Sequence, residues 1–270
     1  MLQKYKRFWD MPMIDTPSGE KHVPHVTGNI MYGLLGTVAK ICFRYKVHGL
    51  ENLRGFAGKS GVLIMGNHTS YLDPAFGYFA GRSEQWVRYM ARDTLFEAGK
   101  GWVGWLFSSC GAFPVTRDSA DRTSVKRAVK MLKNGEVVCI LPEGTRRGKG
   151  TAEMSLHAGA ALIARMADVP IVPMAAINIE KIKRKHQRIR FPQVHICFGK
   201  PMLLKDFDFL PKADRLEACT WYVMRAVFSM VQDIPEEQVD MKALFPTDRD
   251  FSEEFAKHEI PRYTPDELCG

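Results

Sequence analysis

The sequence predicts an α/β fold: a mixed, largely parallel central sheet flanked by helices. Two patterns carry that expectation. Short apolar runs bounded by glycine or proline, such as Gly61-Val62-Leu63-Ile64-Met65-Gly66 and Val137-Val138-Cys139-Ile140-Leu141, have the length and composition of strands buried on both faces. Between them lie segments whose apolar residues recur every three or four positions, as amphipathic helices require. Strands alternating with helices imply parallel strands joined by helical crossovers. The 270 residues are 46% hydrophobic and 25% charged. That is long enough to bury a sizeable core and too apolar for wholesale disorder.

The elements follow in chain order. The first 28 residues are punctuated by Pro and Gly and mix Lys and Arg with Phe8, Trp9, Met11 and Met13. Over 29–46, Ile30, Leu34, Leu35, Val38, Ile41 and Cys42 fall at helical spacing, which suits a core helix and an interfacial helix equally. The strand at 61–66 empties into Asn67-His68-Thr69-Ser70, with a helix expected from about Tyr71. A short strand is expected at 88–91. The stretch Gly101-Trp102-Val103-Gly104-Trp105-Leu106-Phe107 suits a packed core, or insertion at a lipid interface. A helix over 123–133 is closed by Asn134-Gly135, whose glycine supplies a C-terminal stop. A strand at 137–141, a helix at 155–166 and strands at 169–174 and 194–198 complete the pattern. The basic run 181–190 reads as a solvated loop or hairpin tip, or as a contact for lipid or acyl-carrier phosphates.

Charge narrows the partners only partly. The net charge is +8, and residues 232–270 hold 11 acidic against 4 basic side chains, so the body before them carries a surplus of +15. Such a field serves nucleic acid, an anionic membrane surface or a phosphorylated substrate. No zinc-finger spacing or RNA-recognition aromatic motif supports nucleic acid. The six cysteines are scattered, with no C-x-x-C pair, and read as free thiols in a reducing compartment. The histidines show no metal-ligand spacing, so neither a metal nor any other cofactor is expected. Gly58-Lys59-Ser60 is not a phosphate loop, because Leu53 stands where its first glycine belongs. The absence of a G-x-S-x-G elbow disfavours a serine hydrolase. No signal peptide is read at the N-terminus. No run reaches the ~18–20 consecutive apolar residues of a spanning helix, so peripheral or monotopic membrane contact is the expectation.

The chemistry concentrates at Asn67-His68-Thr69-Ser70-Tyr71-Leu72-Asp73-Pro74, where a histidine leaves a buried strand and an aspartate follows five residues later. Strand-end loops of open α/β sheets are where catalytic groups sit. At that spacing the chain can fold back so that Asp73 accepts from one imidazole nitrogen, leaving the other outward as a base. Alone, the pair is a weak signal, and a satisfied loop histidine beside a helix cap explains it better. Three further blocks change that weighing. Gly111-Ala112-Phe113-Pro114-Val115-Thr116-Arg117 ends an apolar run on an arginine. Pro142-Glu143-Gly144-Thr145-Arg146 sets Glu, Thr and Arg around a glycine, offering close backbone approach and donors suited to phosphate oxygens. Val169-Pro170-Ile171-Val172-Pro173 adds a buried strand with two prolines.

In this order and spacing, the four blocks resemble those of the glycerolipid acyltransferase family, over about residues 49–199. The form Asn67-His68-x-Ser70-x-x-Asp73 is more similar to lysophosphatidate acyltransferases than to first-step glycerol-3-phosphate enzymes. The resemblance implies that His68 and Asp73 form a catalytic dyad, and that Arg117, Glu143, Gly144, Thr145 and Arg146 bind the acceptor's phosphate. It implies an acyl-CoA or acyl-carrier-protein donor, a lysophosphatidate-like acceptor and the cytoplasmic side of the cell membrane. The chain departs from the family pattern at Leu141, at the second arginine Arg147 and at Leu156-His157-Ala158-Gly159, where a basic residue usually precedes the glycine. Another acceptor (glycerol-3-phosphate, a different lysophospholipid or a glycolipid) and a non-catalytic anionic-lipid binder remain the alternatives. The implied organisation is a membrane-associating segment at 1–48, an acyltransferase domain at 49–231 and an acidic C-terminal tail at 232–270.

Overall fold

The computed structural model describes residues 2–16, 19–116, 121–147, 153–183 and 188–269. Seven strands form one sheet: β1 (Lys46–His48), β2 (Val62–Gly66), β3 (Val87–Arg92), β4 (Phe113–Val115), β5 (Val137–Ile140), β6 (Ile171–Ile177) and β7 (His195–Phe198). Their order is β1-β7-β6-β2-β5-β3-β4. Every pairing is parallel except β6 with β7, which is antiparallel. The helices are α1 (His25–Phe43), α2 (Glu51–Arg54), α3 (Asp73–Gly81), α4 (Asp93–Glu97), α5 (Trp102–Ser109), α6 (Arg122–Lys133), α7 (Gly159–Ala167), α8 (Arg215–Gln232), α9 (Met241–Leu244), α10 (Ser252–Lys257) and α11 (Pro265–Cys269). The mixed, largely parallel sheet expected from the sequence is what forms.

Strand periodicity divides the apolar side chains between two cores. Leu63 and Met65 of β2, Val138 of β5 and Ile171 and Ala175 of β6 join the core beneath α6, α7 and α8. Val62 and Ile64, Val137 and Cys139, and Val172, Met174 and Ala176 point the other way, towards α3 and the N-terminal segment. Local chemistry sets the helix ends. Asp121 caps α6 by accepting from the Thr123 and Ser124 amides at 3.1 and 3.0 Å. Gly135, at φ +86°, lets the chain turn out of α6. Gly61 is needed for close approach, since a Cβ there would lie 2.0 Å from the Leu132 carbonyl oxygen.

Several element boundaries differ from the sequence reading. The first long helix starts four residues earlier and ends at Phe43, where Arg44 adopts a left-handed conformation. The aromatic stretch after Gly101 is helix α5. α7 begins only at Gly159. Residues 215–232, which carried no expectation, form the long α8. The acidic C-terminal stretch packs onto the domain, burying Phe245, Phe251, Phe255 and Ile260 in the α8 core. The expected boundary at 48/49 falls directly after β1, the edge strand that pairs with β7. All six cysteines are free thiols, with Cys139 and Cys219 fully enclosed. Part of the basic run, 184–187, lies outside the described residues.

One buried charge ties the N-terminal segment to the sheet. Arg88 of β3 is completely buried and donates to the carbonyls of Phe8, Met11 and Gly111 at 3.1, 2.7 and 3.0 Å. Glu136 balances it at 3.2 Å and also accepts the Met13 amide at 2.8 Å. Removing one partner of such a pair strands the other charge in the interior. Glu136→Ala should therefore lower unfolding free energy by about 3–5 kcal/mol. Glu20→Ala, which breaks an exposed pair with Lys130, should cost under ~1 kcal/mol. Denaturant titration of both variants checks the contrast.

Candidate functional site

The candidate site lies where β2 and β5 end side by side. Beyond β2, Asn67 is fully buried and clasps β6: its amide donates to the Ala176 carbonyl at 2.9 Å and accepts the Ala176 amide at 2.8 Å. That clasp continues the strand pairing with a side chain and fixes where His68 emerges. The chain then doubles back, and Asp73 at the start of α3 has no exposed surface.

A carboxylate without solvent must find its hydrogen bonds within the protein. Asp73 Oδ2 accepts the amides of Thr69 and Ser70 at 2.6 and 2.7 Å, and His68 Nδ1 lies 3.0 Å from the same oxygen. Thr69 Oγ1 donates to Oδ1 at 3.3 Å. With the carboxylate as acceptor, the His68 proton belongs on Nδ1, and Nε2 is left with a lone pair. No hydrogen bond to Nε2 occurs among the described residues, and the side chain keeps 13% of its surface exposed.

The loop after β5 supports this turn. Glu143 is 1% exposed; its Oε1 accepts the His68 amide at 2.7 Å and its Oε2 lies 2.7 Å from Arg147 Nε. The Arg147 amide donates to the His68 carbonyl at 2.9 Å. Burial pushes the Glu143 carboxyl up to about 7, with Arg147 and the His68 amide pulling the other way. Gly144 turns the loop at φ +60°, and a Cβ there would stand 2.8 Å from the His157 ring. Arg146 lays its guanidinium on the exposed Tyr71 ring, 3.3 Å from the centroid. Arg147 takes the carboxylate in this loop, and Arg146 has no ion-pair partner among the described residues.

The structure thus gathers His68, Asp73, Glu143, Gly144, Thr145 and Arg146, while Arg117 lies outside the described residues. One placement differs from expectation. Glu143 faces inward, with Oε1 bonded to the His68 amide and Oε2 in ion-pair contact with Arg147, where the resemblance implied contact with the acceptor phosphate. The amides of Thr69 and Ser70 serve the Asp73 carboxylate. Asn67, Tyr71 and Arg147 were not assigned roles from sequence. Asn67 had a visible signal, a polar residue closing an apolar strand. Nothing local pointed to the other two.

Comparison with known proteins adds independent findings. The Acyltransferase family model matches residues 44–177. The chain is 33% identical over 175 residues to 1-acyl-sn-glycerol-3-phosphate acyltransferase of Bacillus subtilis (strain 168), covering 65% of this chain and 82% of that protein. It is 30% identical over 145 residues to the Streptococcus pneumoniae (strain ATCC BAA-255 / R6) protein of the same name, covering 53% of this chain and 51% of that protein. The crystal structure of the 1-acyl-sn-glycerophosphate (LPA) acyltransferase PlsC from Thermotoga maritima superposes with a TM-score of 0.55 at 20% identity, covering 76% of this chain and 81% of that one. At that identity the last match speaks to the fold.

The buried Glu143 makes a pH prediction. Unfolded, the group ionises near its ordinary 4.5; folded, it ionises near 7. The folded state holds the extra proton between those values, so this group's contribution is fully present below pH 4.5 and is lost as pH rises to 7. Glu143→Gln cannot titrate. The stability of the wild type relative to Glu143→Gln should fall across that window by on the order of 3 kcal/mol. Denaturant unfolding at stepped pH checks the sign, and a difference that grows with pH would contradict it.

Proposed function

This chain belongs to the 1-acyl-sn-glycerol-3-phosphate acyltransferase family, and from that premise we propose that it moves a fatty acyl group from an acyl thioester to the hydroxyl of lysophosphatidate, forming phosphatidate. The donor is an acyl-CoA or acyl-carrier-protein thioester. The observation that carries the reading is the His68–Asp73 hydrogen bond of 3.0 Å, which leaves Nε2 without a hydrogen bond among the described residues, while Arg146 of the adjoining loop has no ion-pair partner among them.

The geometry suits direct transfer. His68 Nε2 takes the proton of the acceptor hydroxyl as its oxygen attacks the thioester carbonyl. Asp73 holds the ring and stabilises the imidazolium that forms. Collapse of the tetrahedral intermediate breaks the carbon–sulfur bond, and the departing thiolate recovers the proton from the imidazolium. No acyl-enzyme is required. Arg146, held by Tyr71, supplies planar donors for the acceptor's phosphate, with Thr145 beside it and Gly144 turning the loop against His157. Each charge-assisted hydrogen bond there contributes roughly 1.5–3 kcal/mol. Arg117 is assigned to the same phosphate on sequence grounds.

An amphipathic acceptor calls for a lipid-facing surface, and α1 suits that purpose. It is long and apolar enough, by length and composition, to cross a membrane. One side packs on the domain: a Cβ at Gly28 would strike the Trp86 ring at 2.7 Å, and Ala39 is buried. The other side exposes Val26, Ile30, Leu34 and Ile41, and neighbouring α5 exposes Trp102 and Trp105. A helix fastened along one side and apolar along the other fits monotopic insertion. The same reading assigns 1–48 to membrane contact and the cytoplasmic leaflet as the site of action.

Transfer from acyl-CoA to a panel of acceptors tests the assignment. His68→Ala should keep the fold and lower kcat by about 10²–10⁴-fold. Arg146→Ala should cut kcat/KM for lysophosphatidate by about one to two decades, with a much smaller effect for a monoacylglycerol, which lacks the phosphate. Arg146→Lys should rescue part. Equal losses for both acceptors would make Arg146 structural and remove the acceptor assignment's support. Vesicle flotation checks the membrane surface: binding should rise with anionic lipid, fall partly with salt, and weaken in Ile30→Asp. Indifference to all three would refute it.

A further inference from the structure

Arg147 is a residue the mechanism above does not use, yet it is built into the site more tightly than Arg146. Its guanidinium carbon stands 4.5 Å from the ring centroids of both Phe228 in α8 and Phe245 just past α9. Nη1 donates to the Leu244 carbonyl at 3.3 Å. Nε lies 2.7 Å from Glu143 Oε2. The residues at the two ends of that ion pair hold both backbone polar groups of one residue: Glu143 accepts from the His68 amide, and the Arg147 amide donates to the His68 carbonyl. Asp248 secures the far side of the same loop, accepting the Leu156 amide at 2.8 Å.

A hydrophobic pair would fill this space at less desolvation cost than two charges, so packing alone does not account for it. What the ion pair adds is charge. A guanidinium 2.7 Å from Oε2, close but outside hydrogen-bond geometry, favours the ionised carboxyl, and an ionised carboxylate is a stronger acceptor for the His68 amide than a neutral group. The charged groups facing Glu143 are Arg147 and Asp73. Only Arg147 favours the ionised acceptor, since Asp73 repels it. Without Arg147, Glu143 would turn neutral or swing out, and the His68 backbone would lose one of its two ties.

We propose that Arg147 is a positioning residue for acyl transfer, holding the His68 backbone through Glu143 and anchoring it to the C-terminal segment through Phe228, Phe245 and the Leu244 carbonyl. The C-terminal segment is then part of the catalytic apparatus, although none of its residues touches the reacting atoms. This assignment rests on the acyl-transfer reading.

Steady-state kinetics of the full chain, with acyl-CoA and lysophosphatidate, test it. Arg147→Met keeps an unbranched stem between the two rings and removes the charge. It should lower kcat by about 10- to 100-fold while changing the acceptor KM by less than about threefold. Because Arg147 acts through Glu143, Glu143→Gln/Arg147→Met should be no slower than Glu143→Gln alone. Arg147→Lys should fold and recover part of kcat, since its ammonium can pair with Glu143 but cannot also span to Leu244. Wild-type kcat in Arg147→Met, losses that multiply in the double variant, or a loss confined to KM would each overturn the assignment. Should Arg147→Met fail to fold, Arg147→Lys carries the test, and wild-type kcat there overturns it. A wild-type chain inactive on every acceptor would overturn the acyl-transfer reading and this assignment with it. An active wild type beside an unimpaired Arg147→Met overturns this assignment alone.

Discussion

Asp73 has no contact with water, and that single fact organises the loop around it. An ionised carboxylate in such a place is tolerable only if its oxygens are saturated by donors. The donors nearest in sequence are the amides of Thr69 and Ser70, and reaching them forces the chain after β2 to curl over the start of α3. Once it has curled, the His68 ring sits where one nitrogen meets the same oxygen. The orientation of the proposed base therefore follows from satisfying a buried acid. The amides consumed in that way are lost to any other purpose, so a stabiliser for the reaction's developing charge must come from elsewhere in the site.

Strand β5 shows how buried charge can set a register. Glu136 stands just before it and Glu143 just after it, and both are almost wholly enclosed. The first meets Arg88 beneath the sheet, and the second meets Arg147 at the end that carries the site. Slipping β5 by one residue would carry both carboxylates about 3.3 Å along the strand direction from their arginines and leave buried charges unpaired. Pairs of this kind add little net stability, because desolvation offsets most of the attraction. Their effect is to penalise every alternative alignment, which matters most at a strand whose end must present a loop to its neighbour with sub-ångström consistency.

The sheet was legible because its strands are short, apolar and bounded by glycine or proline, and because period-2 burial needs no knowledge of distant partners. The His68–Asp73 turn was legible for a similar reason: both residues lie within one local loop. What escaped notice depends on contacts across long stretches of chain. Arg147 reads as a surplus arginine until Phe228 and Phe245 close on it from 81 and 98 positions away. The acidic composition of 232–270 reads as an acidic tail and gives no sign that its phenylalanines, spaced irregularly among the charges, complete the core under α8. Glu143 looked like a ligand-facing group because it adjoins Gly144-Thr145-Arg146. Its burial is decided by the His68 amide, which lies 75 positions earlier.

Helix α3 links the two properties that an enzyme acting on lipid must combine. Its first residue is Asp73, and its later residues meet α1, with Phe76 packed edge-on against Phe43 at 5.4 Å and Phe79 beside Gly36. The outward side of α1 is the exposed apolar row. A short rigid helix thus separates the proposed lipid-facing surface from the proposed catalytic acid, with no loop between them to absorb movement. On the acyl-transfer reading, this fixes the height of His68 above the bilayer. An acceptor whose chain stays in the lipid has its hydroxyl and phosphate within a narrow band near the headgroups. Tyr71, the exposed ring under Arg146, belongs to the loop that leads into α3. The arginine proposed for the anion and the proposed base are therefore referred to the same rigid element, so that on this reading a lipid arriving from the proposed membrane surface meets both at once. Orientation of this kind lowers a barrier without any new contact to the reacting atoms.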